Sequence, residues 1–234
     1  MKKATVQEIK ERFDKDVERF SNIETGQVST MDAAISLELI TEAANRIVPQ
    51  AENLLDIGCG AGNYTLKMLS KNPQLNCTLV DLSLPMLNKA LERVSEQTDK
   101  VSIIQGDLRE IALPKNHFDI ILAGAVLHHL RNDADWEKTF EKLYQILKPN
   151  GCLMISDLVT QEKPLITQYI WERYGDYLES VGGKDYRQNV LDYIEKEDSP
   201  RSVTYQLDLM KKAGFTSVEI LHKNTCFAAF GGIK

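Results

Sequence analysis

The 234-residue sequence lacks a long apolar run, has only four cysteines and carries no excess of positive charge. A membrane-spanning helix needs about 20 consecutive apolar residues, and the first residues lead into a charged helix rather than an apolar signal core. We therefore expect a cytoplasmic protein without a membrane segment.

A net charge of −6 argues against a dedicated nucleic-acid surface, which would be basic. The scattered cysteines have no ligand spacing, which predicts free thiols and no metal site.

Short apolar segments alternate with amphipathic segments in the middle of the chain. Strands are predicted at 54–57, 77–80, 101–105, 118–123 and 152–158, with helices between most of them. Such alternation predicts a doubly wound α/β fold, in which helices cover both faces of a mostly parallel sheet. The ligand site of this fold lies at the carboxyl ends of the strands, where the strand order reverses.

The segments on either side of this core are predicted to be mainly helical. Apolar residues at spacings of three and four predict a helix over 5–20, and Asp32 begins a second helix that ends near Ile47. A polar loop over 21–31, which could act as a gate, joins them. The last segment is predicted to contain a helix over 203–213 and a hairpin with strands at 216–222 and 225–230, which turns around Lys223-Asn224.

The segment 159–200 interrupts the alternation and contains five of the eight tyrosines. Two helices separated by Gly182-Gly183 fit its pattern. The aromatic residues either form the wall of a substrate pocket or seal the segment against the sheet or a second subunit, and both alternatives remain open. We therefore predict one domain with four parts: a helical cap (1–50), a ligand-binding core (51–158), a helical lid insert (159–200), and a final helix with an antiparallel hairpin (201–234).

A glycine-rich turn follows the first predicted strand. Asp56 ends the apolar segment, and Gly58, Gly60 and Gly62 precede a helix that starts at Tyr64. Glycine adopts backbone conformations closed to other residues and places no Cβ between the turn and a ligand. The G-x-G-x-x-G fingerprint of dinucleotide sites is not matched, because the third glycine comes one place early. The turn predicts a flat or extended cofactor over the start of the helix, although a turn without any ligand remains an alternative.

Acidic residues end the next two predicted strands. Asp81 could accept hydrogen bonds from both hydroxyl groups of a ribose. Asp107 could accept from the exocyclic amine of an adenine, with Leu82 and Leu108 on the two faces of its ring. Small residues around Gly124, at the end of the fourth strand, would let a ligand pass close to the backbone. Together these features predict a nucleoside-containing cofactor.

This four-part pattern, spanning residues 52–158, resembles the core of the class I S-adenosylmethionine-dependent methyltransferases. The resemblance implies a seven-stranded, mostly parallel, Rossmann-like sheet whose last strand is antiparallel. It implies S-adenosyl-L-methionine as cofactor and methyl transfer to a small organic acceptor. By position, the resemblance assigns Gly58, Cys59 and Gly60 to the methionine part, Asp81 and Leu82 to the ribose and adenine, Asp107 and Leu108 to the adenine edge, and Gly124 to the region under the sulfur. Asp56 would orient the turn and approach the amino group.

Two histidines follow the fourth predicted strand. An imidazole titrates near neutral pH and could serve as a general base if the acceptor is a hydroxyl or an amine. His128 is therefore a candidate catalytic residue. The alternative is that His128 and His129 cap or pack beneath the next helix. Because methyl transfer depends mainly on alignment, the reaction does not require a dedicated base.

Outside the core, the chain resembles the carboxy-S-adenosylmethionine synthases of tRNA wobble-uridine modification. The likeness lies in the Phe13-Asp14 helix, the tyrosine-rich insert and the stretch from Lys211 to Phe230. That resemblance implies that Arg187 grips the extra carboxylate of the carboxylated cofactor. A third alternative is a protein that binds S-adenosylmethionine without transferring a methyl group. A homodimer is possible in each case.

Overall fold

A twisted sheet forms the centre of the computed structural model, which describes residues 3–22 and 27–234. Its strands are β1 (Asn53–Ile57), β2 (Asn76–Asp81), β3 (Val101–Gln105), β4 (Phe118–Gly124), β5 (Leu147–Leu158), β6 (Ser217–Asn224) and β7 (Phe227–Ile233). The strand order is β3-β2-β1-β4-β5-β7-β6. β1 to β5 pair in parallel, whereas β7 is antiparallel to β5 and β6. The predicted fold class is confirmed, with β7 as the antiparallel last strand.

Helices cover both faces of the sheet. The helices of the described residues are α1 (Val6–Lys15), α2 (Val17–Ser21), α3 (Ala33–Ile47), α4 (Asn63–Leu69), α5 (Leu84–Ser95), α6 (Asp133–Ile146), α7 (Pro164–Glu197) and α8 (Val203–Ala213), with a 3₁₀ turn at Leu127–His129. α3, α4 and α5 bury one face, and α6 and α8 bury the other. Leu54 and Leu55 on β1 point into opposite layers and are both fully buried, because successive strand residues alternate between faces.

No helix in the described part of the chain is both long enough and apolar enough to cross a membrane. The longest, α7, carries charged residues along its length, and Gly183 departs from helical geometry with φ 79° and ψ −177°. The predicted pair of helices is therefore two helical segments joined at a kink at Gly183. A small third core packs this insert against the end of β5 and the β6–β7 turn.

The structure divides the predicted 1–50 cap into two parts. α3 packs on the sheet and belongs to its core, whereas α1 and α2 lie against α5 at the edge of the sheet. The single helix predicted over 5–20 is wrong, because Asp16, with φ −105° and ψ 13°, separates α1 from α2. The predicted loop over 21–31 falls partly on residues 23–26, which lie outside the described residues.

The final hairpin turns two residues later than predicted. Asn224 pairs with Phe227, so Thr225 and Cys226 form the turn, and Thr225 has a positive φ of 50°. Lysine and asparagine are more typical of turns than threonine and cysteine. The pairing of β6 with β7 therefore determines the turn here, rather than local preference.

Candidate active site

A pocket among the described residues lies at the carboxyl ends of β1, β2 and β4. Its walls include Ile57, Asp81 and Gly124 from these strand ends. β1 lies between β2 and β4, so the chain reverses its direction of travel across the sheet at this point. Such a switch point is where a doubly wound sheet binds its ligand, so the pocket is at the predicted position.

The three glycines of the turn all have positive φ, but their surroundings differ. A Cβ on Gly58 would lie 2.6 Å from the Val126 side chain, and one on Gly62 would lie 3.2 Å from Val94. A Cβ on Gly60 would meet no atom within 4 Å, and Gly60 lines the pocket. Gly58 and Gly62 are therefore needed for packing, whereas Gly60 leaves space that a ligand can occupy.

Asp81 holds the glycine turn against the end of β2. One carboxylate oxygen, Oδ2, accepts a hydrogen bond from the Gly60 amide at 2.9 Å, and Oδ1 accepts one from the Ser83 amide at 2.9 Å. Burial raises the pKa of Asp81, although these backbone hydrogen bonds oppose the shift. Asp81 lines the pocket, and a carboxylate has about four lone-pair sites, so it could also accept from ribose hydroxyls.

The predicted adenine-binding residues converge on the same pocket. Leu82, Asp107 and Leu108 all line it. The carboxylate of Asp107 accepts a hydrogen bond from Nε of Arg109 at 3.0 Å. Burial would raise the pKa of Asp107, but the hydrogen bonds and charge of Arg109 hold it below its usual value. Asp107 is therefore an ionised acceptor at neutral pH, flanked by two apolar side chains.

Cys59 and Asp56 differ in their access to the pocket. Cys59 lines it, and burial raises the pKa of its thiol well above the usual value, so the thiol stays protonated. Asp56 does not line the pocket. Its Oδ2 accepts hydrogen bonds from the Thr65 hydroxyl at 2.6 Å and the Thr65 amide at 3.2 Å. Asp56 thus holds the first turn of α4 through Thr65. Its predicted roles, orienting the glycine turn and approaching a cofactor amino group, stay predictions.

Gly124 accommodates a neighbouring aromatic ring. It lines the pocket, but a Cβ at this position would lie 2.5 Å from the ring of Tyr64. Tyr64 is buried, which raises the pKa of its phenol to about 12, and it also lines the pocket. Sequence reasoning treated Tyr64 only as the start of a helix. The aromatic residue directly after the glycine turn was the available signal.

A buried cluster of histidines and carboxylates forms another part of the pocket wall. The His128 amide donates to Oδ2 of Asp157 at 3.0 Å, and Nδ1 of the same histidine bonds to Oδ1. Asp198 approaches from the end of α7, with Oδ1 3.7 Å from Nε2 of His128 and 3.1 Å from Nδ1 of His129. Sequence analysis missed both aspartates. Asp157 lies one residue before the end of β5, close to a strand end as Asp81 is, whereas nothing in the sequence marks Asp198.

The two carboxylates change the character of His128. Burial alone would lower its pKa, but the charges of Asp157 and Asp198 raise it to about 9. Burial and the neighbouring charge of His128 lower the pKa of His129. His128 therefore holds a proton at neutral pH, and a protonated imidazole cannot accept another. The general-base role remains a prediction, and the electrostatics of the cluster weigh against it.

Arg187 does not reach the pocket. Its guanidinium lies over Gly175 within α7, and Nη1 is 3.0 Å from Oε2 of Glu179. The arginine side chains that do line the pocket include Arg12 and Arg19, from the N-terminal helices. The position of Arg187 therefore does not support the prediction that it binds the extra carboxylate of a carboxylated cofactor.

The N-terminal helix and the end of α7 are joined across the pocket. Nη2 of Arg12 lies 2.7 Å from Oε2 of Glu197, whose side chain is buried. The Ala4 amide donates to the Lys196 carbonyl at 2.9 Å, and Nη2 of Arg131 donates to the Ala4 carbonyl at 2.8 Å. α1 and α7 therefore cover the pocket together.

The insert tyrosines serve both of the purposes left open by the sequence. Tyr174 and Tyr193 line the pocket. Tyr174 also packs edge-on against Phe227, at 5.3 Å between ring centres, and its hydroxyl donates to the Ser29 carbonyl at 2.8 Å. Tyr177 donates to the Val28 carbonyl at 2.8 Å and lies outside the pocket wall. The aromatic residues both seal the insert and form part of the pocket.

The fold and the pocket define a class of protein that binds an adenosine-containing cofactor on a glycine turn. Comparisons with known proteins agree. A family profile described as a methyltransferase domain matches residues 54–151. Demethylmenaquinone methyltransferase of Listeria monocytogenes is 28% identical over 193 residues, which cover 80% of each chain. Carboxy-S-adenosyl-L-methionine synthase of Campylobacter lari is 25% identical over 202 residues, covering 86% of this chain and 85% of the relative.

Solved structures share the fold. The N-methyltransferase NodS of Bradyrhizobium japonicum, in complex with S-adenosyl-L-homocysteine, superposes with a TM-score of 0.65 at 14% identity, covering 95% of this chain and 98% of its own. Human N-acetylserotonin methyltransferase, in complex with S-adenosylmethionine, has a TM-score of 0.62 at 19% identity over 95% of this chain. This chain spans 57% of the human protein's length.

The chain contains a match to a methyltransferase domain, and its sequence and fold are similar to those of the class I S-adenosylmethionine-dependent methyltransferases. It is an enzyme of that class, and S-adenosyl-L-methionine is its cofactor. The residues of the pocket fit this cofactor. Gly60 leaves open space beside the turn, Asp81 and Asp107 offer acceptors, and Leu82 and Leu108 offer apolar surface.

Proposed function

We propose that this enzyme methylates a small, planar aromatic molecule that carries hydroxyl groups. The observation that carries the proposal is that one pocket joins the cofactor-binding strand ends to an aromatic wall. The aromatic side chains of that wall, beyond Tyr64, are Phe13, Phe20, Tyr174, Tyr193 and Phe227. Flat apolar rings pack well against other rings, and the polar cluster at His128 offers partners for a hydroxyl. The demethylmenaquinone methyltransferase relative, whose name indicates a ring substrate, supports this choice.

The residues of the chain contribute mainly by positioning. When bound, S-adenosylmethionine supplies an electrophilic methyl group. Asp81, Asp107 and the glycine turn would hold the nucleoside and methionine parts, while α1 and α7 exclude water from the pocket. Alignment of two reactants in this way can contribute roughly 7–11 kcal/mol to lowering the barrier. His128, protonated at neutral pH, would donate a hydrogen bond to an acceptor oxygen.

Release of S-adenosylhomocysteine tests the acceptor class. The purified protein would be incubated with S-adenosylmethionine and, separately, a 1,4-naphthoquinol, a primary alkylamine and a short-chain carboxylic acid. We expect release only with the naphthoquinol, together with a product heavier by one methylene. Release with the amine or the acid alone would contradict the proposed acceptor. Failure with every acceptor, despite cofactor binding, would favour the protein that binds the cofactor without transfer.

The carboxy-S-adenosylmethionine synthase alternative makes a different prediction. It requires a cation that holds the extra carboxylate of the cofactor, and Arg187 is paired with Glu179 away from the pocket. Arg12, which lines the pocket, is paired with Glu197. Mass spectrometry of the ligand that copurifies with the protein separates the two. We expect S-adenosylmethionine or its demethylated product, and a carboxylated sulfonium would overturn our choice.

A further inference from the structure

Three side chains in the pocket wall bring potential metal ligands together. His128, His129 and Asp198 each offer one ligand atom, and these three atoms lie within 4.8 Å of one another. The histidines come from the turn after β4, and the aspartate follows α7. The insert therefore supplies a carboxylate to a histidine pair on the core.

The atoms of this cluster are buried and only partly satisfied. Asp198 is only 2% exposed, and its Oδ1 lies 3.1 Å from Nδ1 of His129, at ion-pair distance but without good hydrogen-bond geometry. Nε2 of His129 is buried and makes no hydrogen bond. A buried polar atom left without a partner costs about 1–3 kcal/mol, and most such atoms in proteins are satisfied. Incompletely satisfied atoms so close together indicate a site for a bound group.

The spacing of the atoms suits a metal ion. Oδ1 of Asp198 lies 3.1 Å from Nδ1 of His129 and 3.7 Å from Nε2 of His128. Ligand atoms at about 2.1 Å from a zinc ion, in tetrahedral or octahedral arrangement, lie roughly 3.0–3.4 Å from one another. The ligand atoms of the two histidines lie within 4.8 Å of each other, so a rotation of the rings toward Asp198 would bring all three atoms into that range.

Asp157 prepares His128 for this role. It binds Nδ1 of the ring, which leaves Nε2 directed toward Asp198. Asp157 is itself held by the backbone amides of His128 and Leu158, at 3.0 and 2.8 Å. A carboxylate on the far nitrogen of a metal-binding histidine fixes its tautomer and ring orientation, as is usual in metal sites.

We propose that Nε2 of His128, Nδ1 of His129 and Oδ1 of Asp198 bind a divalent transition metal ion such as Zn²⁺. Two imidazoles favour Zn²⁺ or Fe²⁺ over Mg²⁺ or Ca²⁺, which prefer oxygen ligands. The ligands line the substrate pocket, so the remaining coordination positions face it. The sequence argument against a metal site considered only the spacing of the cysteines. It missed this site because the ligands are two histidines and a carboxylate distant in sequence.

The metal site rests on its own geometry, whereas its role rests on the proposed function. Binding of the metal ion would displace the proton from Nε2 of His128, so the hydrogen bond from His128 to an acceptor oxygen belongs to the metal-free protein. With the ion bound, an acceptor oxygen could occupy an open coordination position instead, which would hold the acceptor within the pocket.

The charges in direct contact with the histidines favour a dication, because these charges are the carboxylates of Asp157 and Asp198. Arg12, Arg131 and Lys3 lie around the cluster and contact Glu197 or the backbone at the end of α7.

A titration with Zn²⁺ alone tests the site. Protein treated with a chelator and then dialysed would be titrated by calorimetry, and Co²⁺ would replace Zn²⁺ for absorption spectroscopy. We expect one equivalent of tight Zn²⁺ binding and visible Co²⁺ bands of a site with nitrogen ligands. The absence of stoichiometric binding by the wild-type protein would overturn the proposal, whatever the variants do.

Two variants and a control locate the ion. His129→Gln and Asp198→Asn each remove one ligand, and we expect Zn²⁺ affinity to fall by more than the roughly 10- to 100-fold cost of losing an outer-shell partner. His117→Ala removes an exposed histidine outside the pocket and should leave affinity unchanged. Equal affinity in all four proteins would show an adventitious ion only and overturn the proposal. Affinity for S-adenosylhomocysteine, measured on the same samples, verifies folding and keeps this result separate from the methyl-transfer assay.

Discussion

At the scale of single residues, Asp81 connects the backbone to the ligand site. Its two oxygens each accept a backbone hydrogen bond, from Gly60 and from Ser83, and the same carboxylate faces the pocket. The sequence predicted Asp81 as a ribose acceptor from its place at a strand end. The hydrogen bond that Asp81 accepts from the Gly60 amide was not predictable, because these residues are 21 positions apart in the sequence.

Replacement of Asp81 should weaken cofactor binding. We expect Asp81→Ala to lower the affinity for S-adenosylhomocysteine by at least about tenfold, because two ribose hydroxyls lose their hydrogen-bond acceptor. A tenfold loss of affinity corresponds to about 1.4 kcal/mol of binding free energy. Asp119→Ala is a matched control, because Asp119 also accepts from two backbone amides, those of Glu52 and Asn53, but lies outside the pocket. Calorimetry on both variants provides the measurement. Equal affinities in the two variants would remove Asp81 from the ribose site.

Asp56 should make stability depend on pH. Burial raises its pKa from 3.8 to about 7 in the folded state. The unfolded chain therefore releases this proton more readily between pH 4 and 7, so Asp56 lowers the free energy of unfolding as pH rises through this range. Relative to Asp56→Asn, the wild type should lose stability from pH 4 to 7 and level off above. Urea unfolding across this range measures the difference, with Asp119→Asn as control, and a constant difference would contradict the burial of a titrating Asp56.

At the scale of elements, the strands were predicted more reliably than the helices that cover the pocket. β1, β2, β4 and β5 are largely buried on both faces and read as apolar segments, so their existence follows from the sequence. β3 is a partly exposed edge strand, and its apolar residues marked it as well. The break at Asp16 and the joining of α1 to α7 through Arg12 and Glu197 depend on tertiary contacts. The position of Arg187 beside Glu179 and Gly175, outside the pocket wall, likewise depends on a contact across the kink at Gly183.

Loss of the Arg12–Glu197 pair should loosen α1. Arg12 donates through Nε to both carboxylate oxygens of Glu197, at 2.9 and 2.8 Å. Hydrogen bonds to charged groups contribute about 1.5–3 kcal/mol, so Glu197→Gln should speed amide hydrogen exchange in α1 by roughly tenfold or more. Glu42→Gln, which removes an exposed partner of Arg46, should leave α1 unchanged. Unaltered protection of α1 in Glu197→Gln would show that other contacts hold the helix in place.

At the scale of the whole molecule, the strand order creates the site. Ile57, Asp81 and Gly124 end three neighbouring strands, and residues separated by up to 67 positions meet at one edge of the sheet. Because parallel strands finish at the same edge, this convergence was predictable from the alternation of elements. The contribution of Asp198 was not, because it depends on how the insert folds back over the core.

The most direct test of the account is a crystal structure of the protein with S-adenosylhomocysteine. We predict density for the ligand in the pocket at the carboxyl ends of β1 and β2, with the ribose hydroxyls within hydrogen-bond distance of Asp81 and the adenine between Leu82 and Leu108. Density elsewhere on the molecule, or a ribose that faces away from Asp81, would contradict it.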